Sequence, residues 1–158
     1  MEPQITELKE KHLVGMHTTM SLVQNKTFEL WGKFRSRVHE IENRSSSDFI
    51  SMQVYDPSYF ANFKPTNTFV KWASVEVPDH ENIPYGMDSF TLKSGPYAVF
   101  HYKGSSADTS IFQYIFTEWL PNSKYLLDDR PHFEVLGDKY KNNDPNSEEE
   151  IWIPIKEK

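Results

Sequence analysis

The stretch Arg130-Pro131-His132-Phe133-Glu134-Val135-Leu136-Gly137 reads as a strand with a carboxylate at its centre. Alternation sends Phe133 and Val135 to one face, and His132, Glu134 and Leu136 to the other. A carboxylate in such a run is costly unless it has partners or water. Glu134 is therefore either an outward-facing residue on a half-exposed strand or part of a pocket on the open face of a sheet. An earlier stretch, Asp48 to Tyr55, alternates in the same way. Ile50, Met52 and Val54 fall on one face, with Phe49, Ser51, Gln53 and Tyr55 on the other. A shift of 81 residues lays Met52 and Val54 on Phe133 and Val135, and Gln53 on Glu134.

The same shift extends outward. Leu30, Phe34 and Val38 recur at helical spacing and fall on Ile111, Ile115 and Trp119. Thr27 and Asp108, both good N-caps, coincide, and Pro121 stops the second helix. Thr6 to Leu22 and Ser89 to Tyr102 read as extended segments, the latter with a turn or bulge at Gly95-Pro96. Thr68 to Val77 and Glu149 to Ile155 read as closing strands. Asp56 to Pro65 and Lys139 to Ser147 read as loops, and Pro78 to Gly86 as a linker. Identity between the halves is almost nil, so the repeat is one of pattern. The expected fold is α+β, a tandem strand-helix-strand-strand repeat with pseudo-twofold symmetry and a ligand groove between the halves. The half-repeats run from about 1 to 77 and 88 to 157 within one domain of residues 1–158.

Each helix must bury its apolar stripe on a sheet face. Phe133, Val135, Ile151, Ile153 and Ile155 are expected to face the second helix. Glu134 then shares the opposite face with His132, Leu136, Glu150 and Trp152. In the first half, Gln53, Tyr55 and Trp72 join that face. Gln53 and Glu134 would flank a groove, with Trp72, Trp152 and Tyr55 as its walls. Plain packing is the competing reading for Trp152 and Tyr55, and a bulge would reverse Trp72. Trp119 belongs to the helix stripe and reads as core. Glu148-Glu149-Glu150 reads as a solvated strand entry, with Glu150 an alternative charge at the rim.

Composition narrows the function. With 17 basic and 23 acidic residues among 158, the net charge is −6, which argues against direct nucleic-acid binding. There are no cysteines, so disulfides and thiolate metal sites are excluded. The six histidines show no metal spacing, and no phosphate loop, dinucleotide fingerprint or nucleophile motif is present. No metal or cofactor is expected. No stretch has membrane-spanning length and no signal pattern opens the chain, so a cytoplasmic protein is the expectation. Aromatics reach 15% of residues, enough to build both a core and a pocket of rings.

Four segments carry a family resemblance. They are Gly95 to Ser105, Trp119 to Tyr125, Arg130 to Val135, and Glu149 to Lys156. In order and spacing they resemble the effector-binding domain of GyrI-like proteins, AraC-type activators and MerR-class multidrug sensors. The match covers roughly residues 88 to 157 well and residues 1 to 77 loosely. It implies the tandem repeat with a groove that binds amphipathic, often cationic or aromatic compounds. It also implies a glutamate at the pocket base, the position of Glu134. No DNA-binding helix-turn-helix is left over, so a stand-alone member is expected.

The resemblance supports more than one class of function. A binding protein would capture a hydrophobic or cationic small molecule, with Glu134 as counter-charge, and act by sequestration or as a sensing module linked to transcription regulation. A hydrolase of cyclopropanoid genotoxins, known among stand-alone GyrI-like proteins, would use Glu134 on water and a tyrosine as acid. Tyr55, Tyr97 and Tyr114 are all candidates for that acid. Protein binding, as in gyrase-inhibiting relatives, is the third class. Protein partners and homodimerisation are left open.

Overall fold

The computed structural model describes residues 1–158. The strands are β1 (Gln4–Leu8), β2 (Lys11–Ser21), β3 (Phe49–Val54), β4 (Thr68–Val77), β5 (Asp88–Leu92), β6 (Gly95–Lys103), β7 (Tyr125–Leu127), β8 (His132–Leu136) and β9 (Glu148–Glu157). All pairings are antiparallel, in the order β1-β6-β9-β8-β3-β4-β2-β5, with β7 added to the end of β9. Exchanging β1 with β5, β2 with β6, β3 with β8 and β4 with β9 returns the same order read from the other edge. The central pair is β3 with β8, and its register sets Met52 opposite Phe133, two residues that the 81-residue shift equates.

The helices lie on one face of this sheet. α1 (Thr27–Arg37) buries Leu30 and Phe34 against Val14 of β2 and Ala73, Val75 and Val77 of β4. Lys26 rather than Thr27 precedes the first turn, and the Asn25 side chain accepts the Thr27 amide at 2.9 Å. α2 (Ser110–Tyr114) follows Asp108, whose carboxylate accepts the Ser110 amide at 2.9 Å. It continues as a π-helical segment (Ile115–Trp119) and ends in α3 (Leu120–Asn122). Pro121 lies inside this last turn instead of stopping the helix before it. It has no N–H for the Thr117 carbonyl, and the widened segment directly precedes it. Ile111 and Ile115 pack on Ala98 and Phe100 of β6 and Ile151, Ile153 and Ile155 of β9.

The opposite face is equally apolar and needs no helix. β1 runs into β2, and β5 into β6, across two-residue connections, although each pair sits far apart in the strand order. The sheet therefore curls until Leu8, Leu13, Leu92 and Tyr97 meet Ile50, Met52, Trp72 and Phe133 in one buried cluster. Close approach is needed for that curl. A Cβ on Gly15 of β2 would collide with the Ala73 carbonyl of β4, so only glycine fits there.

Arg130 fastens the entry to β8. Its guanidinium meets the Asp128 carboxylate at 2.7 Å, donates to the carbonyls of Pro96 and Ile155, and stacks over Tyr97 at 4.6 Å. The Tyr97 hydroxyl donates to the Pro131 carbonyl at 2.8 Å. These contacts tie β8 to β6 and β9 and so set the direction in which Glu134 points.

Candidate functional site

Residues directly opposite in an antiparallel pair project to the same face. Glu134 is opposite Ser51 and Ile151, and Gln53 is opposite His132 and Lys71. Ile151 packs under α2, and Ser51 is opposite Ala73, which packs under α1. Glu134 and Gln53 therefore share a face, as expected, but it is the helix-bearing one. They occupy the strip over β3 and β8 between the two helices.

Trp72 and Trp152 are corrected by the same rule. Trp72 is opposite Met52, and Trp152 opposite Phe133, so both lie on the curled apolar face away from Glu134. Trp152 stacks on Phe133 with centroids 5.1 Å apart, and Trp72 is only 6% exposed. Alternation within β8 and β9 holds. The relative phase of the two strands is the point of error, because both sheet faces are buried. Hydrophobicity alone does not tell which face carries the helix. Glu150 likewise falls on Trp152's side, where its carboxylate accepts the indole N–H at 3.1 Å.

Three polar side chains form the floor of the strip. In the amide orientation that satisfies both ends, Gln53 donates to Glu134 Oε2 at 3.1 Å and to the His132 carbonyl at 3.2 Å. Its carbonyl oxygen accepts from the Lys71 ammonium. Gln53 and Lys71 are each 8% exposed, whereas Glu134 lies deep yet keeps part of its surface accessible. Burial raises the Glu134 carboxyl, while Lys71 and the Gln53 hydrogen bond pull it back down. Burial lowers the Lys71 ammonium, against the opposing pull of Glu134 and Glu149.

Rings close one end. The loop after β3 lays Phe60 on His132 and on Phe116 of the π-helical segment, stacked at 5.4 and 5.5 Å. Tyr55 meets the His132 ring edge-on at 4.9 Å. Burial drives the Tyr55 hydroxyl above its ordinary value, helped by Glu134 and Tyr59. His132 is pushed down to about 3 by burial and stays neutral. At the other end are Glu149, raised to about 7 by burial, then by Glu134, and Tyr140, which feels Glu149, Arg35 and Glu134. Of the candidate acids, Tyr55 is the one that shares a face with Glu134 and feels its charge. Tyr97 is bonded to Pro131 on the other face, and Tyr114 to the Met1 carbonyl on the outer side of α2.

Sequence reasoning missed Lys71, Phe60, Phe116 and Glu149. Lys71 carried the signal that singled out Glu134, a charge inside an apolar strand. Phe60 carried none, since a loop residue has no periodicity. No group of three His, Cys, Asp or Glu side chains is arranged to hold a metal, and no helix is long and apolar enough to cross a membrane. A cleft of about 650 Å³ between β1 and the outer side of α2, lined by Tyr114, Trp119 and Tyr125, does not reach Glu134.

Known proteins resemble this chain in sequence or in fold. The transcriptional regulator BrlR of Pseudomonas aeruginosa is 28% identical over 160 residues, covering 98% of this chain. The chain spans 56% of that relative's length. The structure of SAV2435 bound to tetraphenylphosphonium superposes with a TM-score of 0.76 at 19% identity, covering 99% of this chain and 94% of that one. The C-terminal domain of EcmrR superposes with a TM-score of 0.74 at 13% identity, covering 99% and 98%. At such identities the two structures show the fold alone. The family described as the GyrI-like small molecule binding domain matches residues 1–156, and the chain belongs to that family.

Proposed function

We propose that the strip between the helices binds a lipophilic organic cation, with Glu134 at its base. The observation that carries this reading is a deep, partly accessible carboxylate beside stacked rings, on the one sheet face that the two helices leave between them. A carboxylate supplies charge, and Tyr55, Phe116 and His132 supply flat surfaces for stacking and cation–π contact. Few directional bonds are involved, so selectivity is broad. The Phe60 ring occupies the place where a flat ligand would stack, so binding displaces it. SAV2435 holds tetraphenylphosphonium, which makes that cation the first probe. The similarity to BrlR supports a role in which occupancy is passed to a regulatory partner. Calorimetric titration with tetraphenylphosphonium tests the reading. Saturable binding weakened about tenfold or more in Glu134→Gln is expected, a loss of roughly 1.4 kcal/mol. An identical affinity in that variant rules the role out.

A second reading, hydrolysis of a strained electrophile, is favoured by Tyr55 standing on the same face as Glu134 and feeling its charge. Glu134 would orient water and Tyr55 would donate to the developing oxyanion. Mass spectrometry of a cyclopropanoid compound incubated with the protein decides, with ring opening lost in Tyr55→Phe. No turnover above buffer excludes it.

A further inference from the structure

Charge counting within the strip leaves one carboxylate over. Lys71 is joined to Glu134 through Gln53, so an ammonium and a carboxylate already answer one another there. Glu149 is the remaining acid. It lies on the same face, two residues before Ile151, which is opposite Glu134. That places it diagonally across from Glu134 on the neighbouring strand, at a side-chain separation of roughly 7–8 Å. It is half-buried and makes no side-chain hydrogen bond or ion pair, unlike Glu148 and Glu150 on either side. We propose that Glu149 is a second carboxylate, beside Glu134, that answers the charge of a bound cation, and that binding exchanges the proton on Glu149 for the ligand. This deepens the organic-cation reading above and rests on it.

The groups facing Glu149 come from every element around it. Glu134 stands on β8 and Lys71 on β4. Tyr102 is opposite it on β6 and itself faces Asp108 ahead of α2. Tyr140 comes from the loop before β9, and Arg35 of α1 faces Tyr140. Glu149 is raised to about 7, first by burial and then by the Glu134 charge, with Lys71 acting in the opposite sense. His132, held down at about 3, contributes nothing there. A ligand cation against Glu149 reverses the second cause and drives the proton off. Glu134, by contrast, keeps Lys71 as a counter-charge whether or not ligand is present. Glu134 therefore shares its charge between Lys71 and the ligand, and Glu149 adds the charge whose proton the ligand exchanges.

The test uses the full chain and tetraphenylphosphonium, with triphenylphosphine oxide as an uncharged probe of similar shape. With one proton exchanged at a group titrating near 7, the cation is expected to bind about tenfold more weakly at pH 6 than at pH 8. Calorimetry of the unaltered protein at pH 6, in two buffers of different ionisation enthalpy, should show close to one proton released per cation bound. In Glu149→Gln the pH dependence flattens and the proton release disappears. The oxide should bind equally at both pH values. Cation affinity that is flat with pH, or a Glu149→Gln protein that keeps the slope and the proton release, overturns the assignment and leaves the binding reading standing. If no cation binds at either pH, both fail together.

Discussion

The two faces of the sheet differ most where the halves meet. On the curled face, Met52 stands opposite Phe133, flanked by Trp72 on one side and Trp152 on the other. This arrangement is symmetric, apolar and tightly packed. On the helix-bearing face the matching positions are unlike one another. Gln53 corresponds to Glu134, Ser51 to His132, and Lys71 to Ile151, which occupy equivalent places beside the central pair. The curled face preserves the repeat because both halves must fill one closed core. The helix-bearing face departs from the repeat, with the Glu134 carboxylate on one side of the central pair and the Gln53 amide on the other. Departure from symmetry thus marks the face proposed to bind ligand, and adherence to it marks the closed core.

Substitutions should separate the two faces. Phe133→Ala on the curled face should cost about 3–5 kcal/mol in urea unfolding, the usual loss for a buried phenylalanine. Glu134→Gln, one residue along, should fall well short of that; an equal loss would erase the distinction. Glu149→Gln tests the polar face by pH. The folded-state value of Glu149 lies above the ordinary carboxylate range, so the folded protein holds a proton that the unfolded chain releases. Stability from this group is full below the ordinary range and is lost as pH rises toward 7. Glu149→Gln should therefore be about 1–2 kcal/mol more stable than the parent at pH 8, with no difference near pH 4. A gain of the same size at both pH values would reject the assigned cause.

Smaller effects sharpen the picture. Phe60→Ala should tighten tetraphenylphosphonium binding about threefold, since the ligand no longer displaces a stacked ring, and weaker binding would show instead that Phe60 contacts the ligand. Lys71→Met removes the charge that holds the Glu134 carboxyl down, so its titration, followed by carbon NMR, should move upward. A downward move would mean that the ammonium does not act on Glu134. Least of all, Trp152→Phe should leave ligand affinity within about twofold, because a change under roughly 0.4 kcal/mol is expected from a ring on the far face.

Much of the architecture was legible in the chain. Leu30, Phe34, Ile111 and Ile115 announced their helices by spacing, and the bounds of β4 and β8 coincide with the apolar alternation. The pairing of Met52 with Phe133 follows the same shift that equates Gln53 with Glu134. What alternation does not carry is the identity of the face. Val135 and Ile151 are equally apolar, yet one turns toward the curled core and the other toward α2. Long-range closure by β1 and β5 decides that, and no local pattern reports it. β7 went unread because three residues are too few to alternate, and the π-helical segment because its cause, Pro121, reads first as a stop signal. Lys71 was readable in principle, but its meaning depends on the amide of Gln53, which only the register brings beside it.

Ligand binding on the helix-bearing face has a direct spectroscopic readout. Proton–nitrogen correlation spectra report both faces at once, through the Gln53 side-chain amide and the indole N–H groups of Trp72 and Trp152. On titration with tetraphenylphosphonium, the Gln53 amide should shift progressively to saturation while both indole signals stay within the noise. Shifts at Trp72 and Trp152 with an unmoved Gln53 amide would place the ligand on the curled face and exclude the site between the helices.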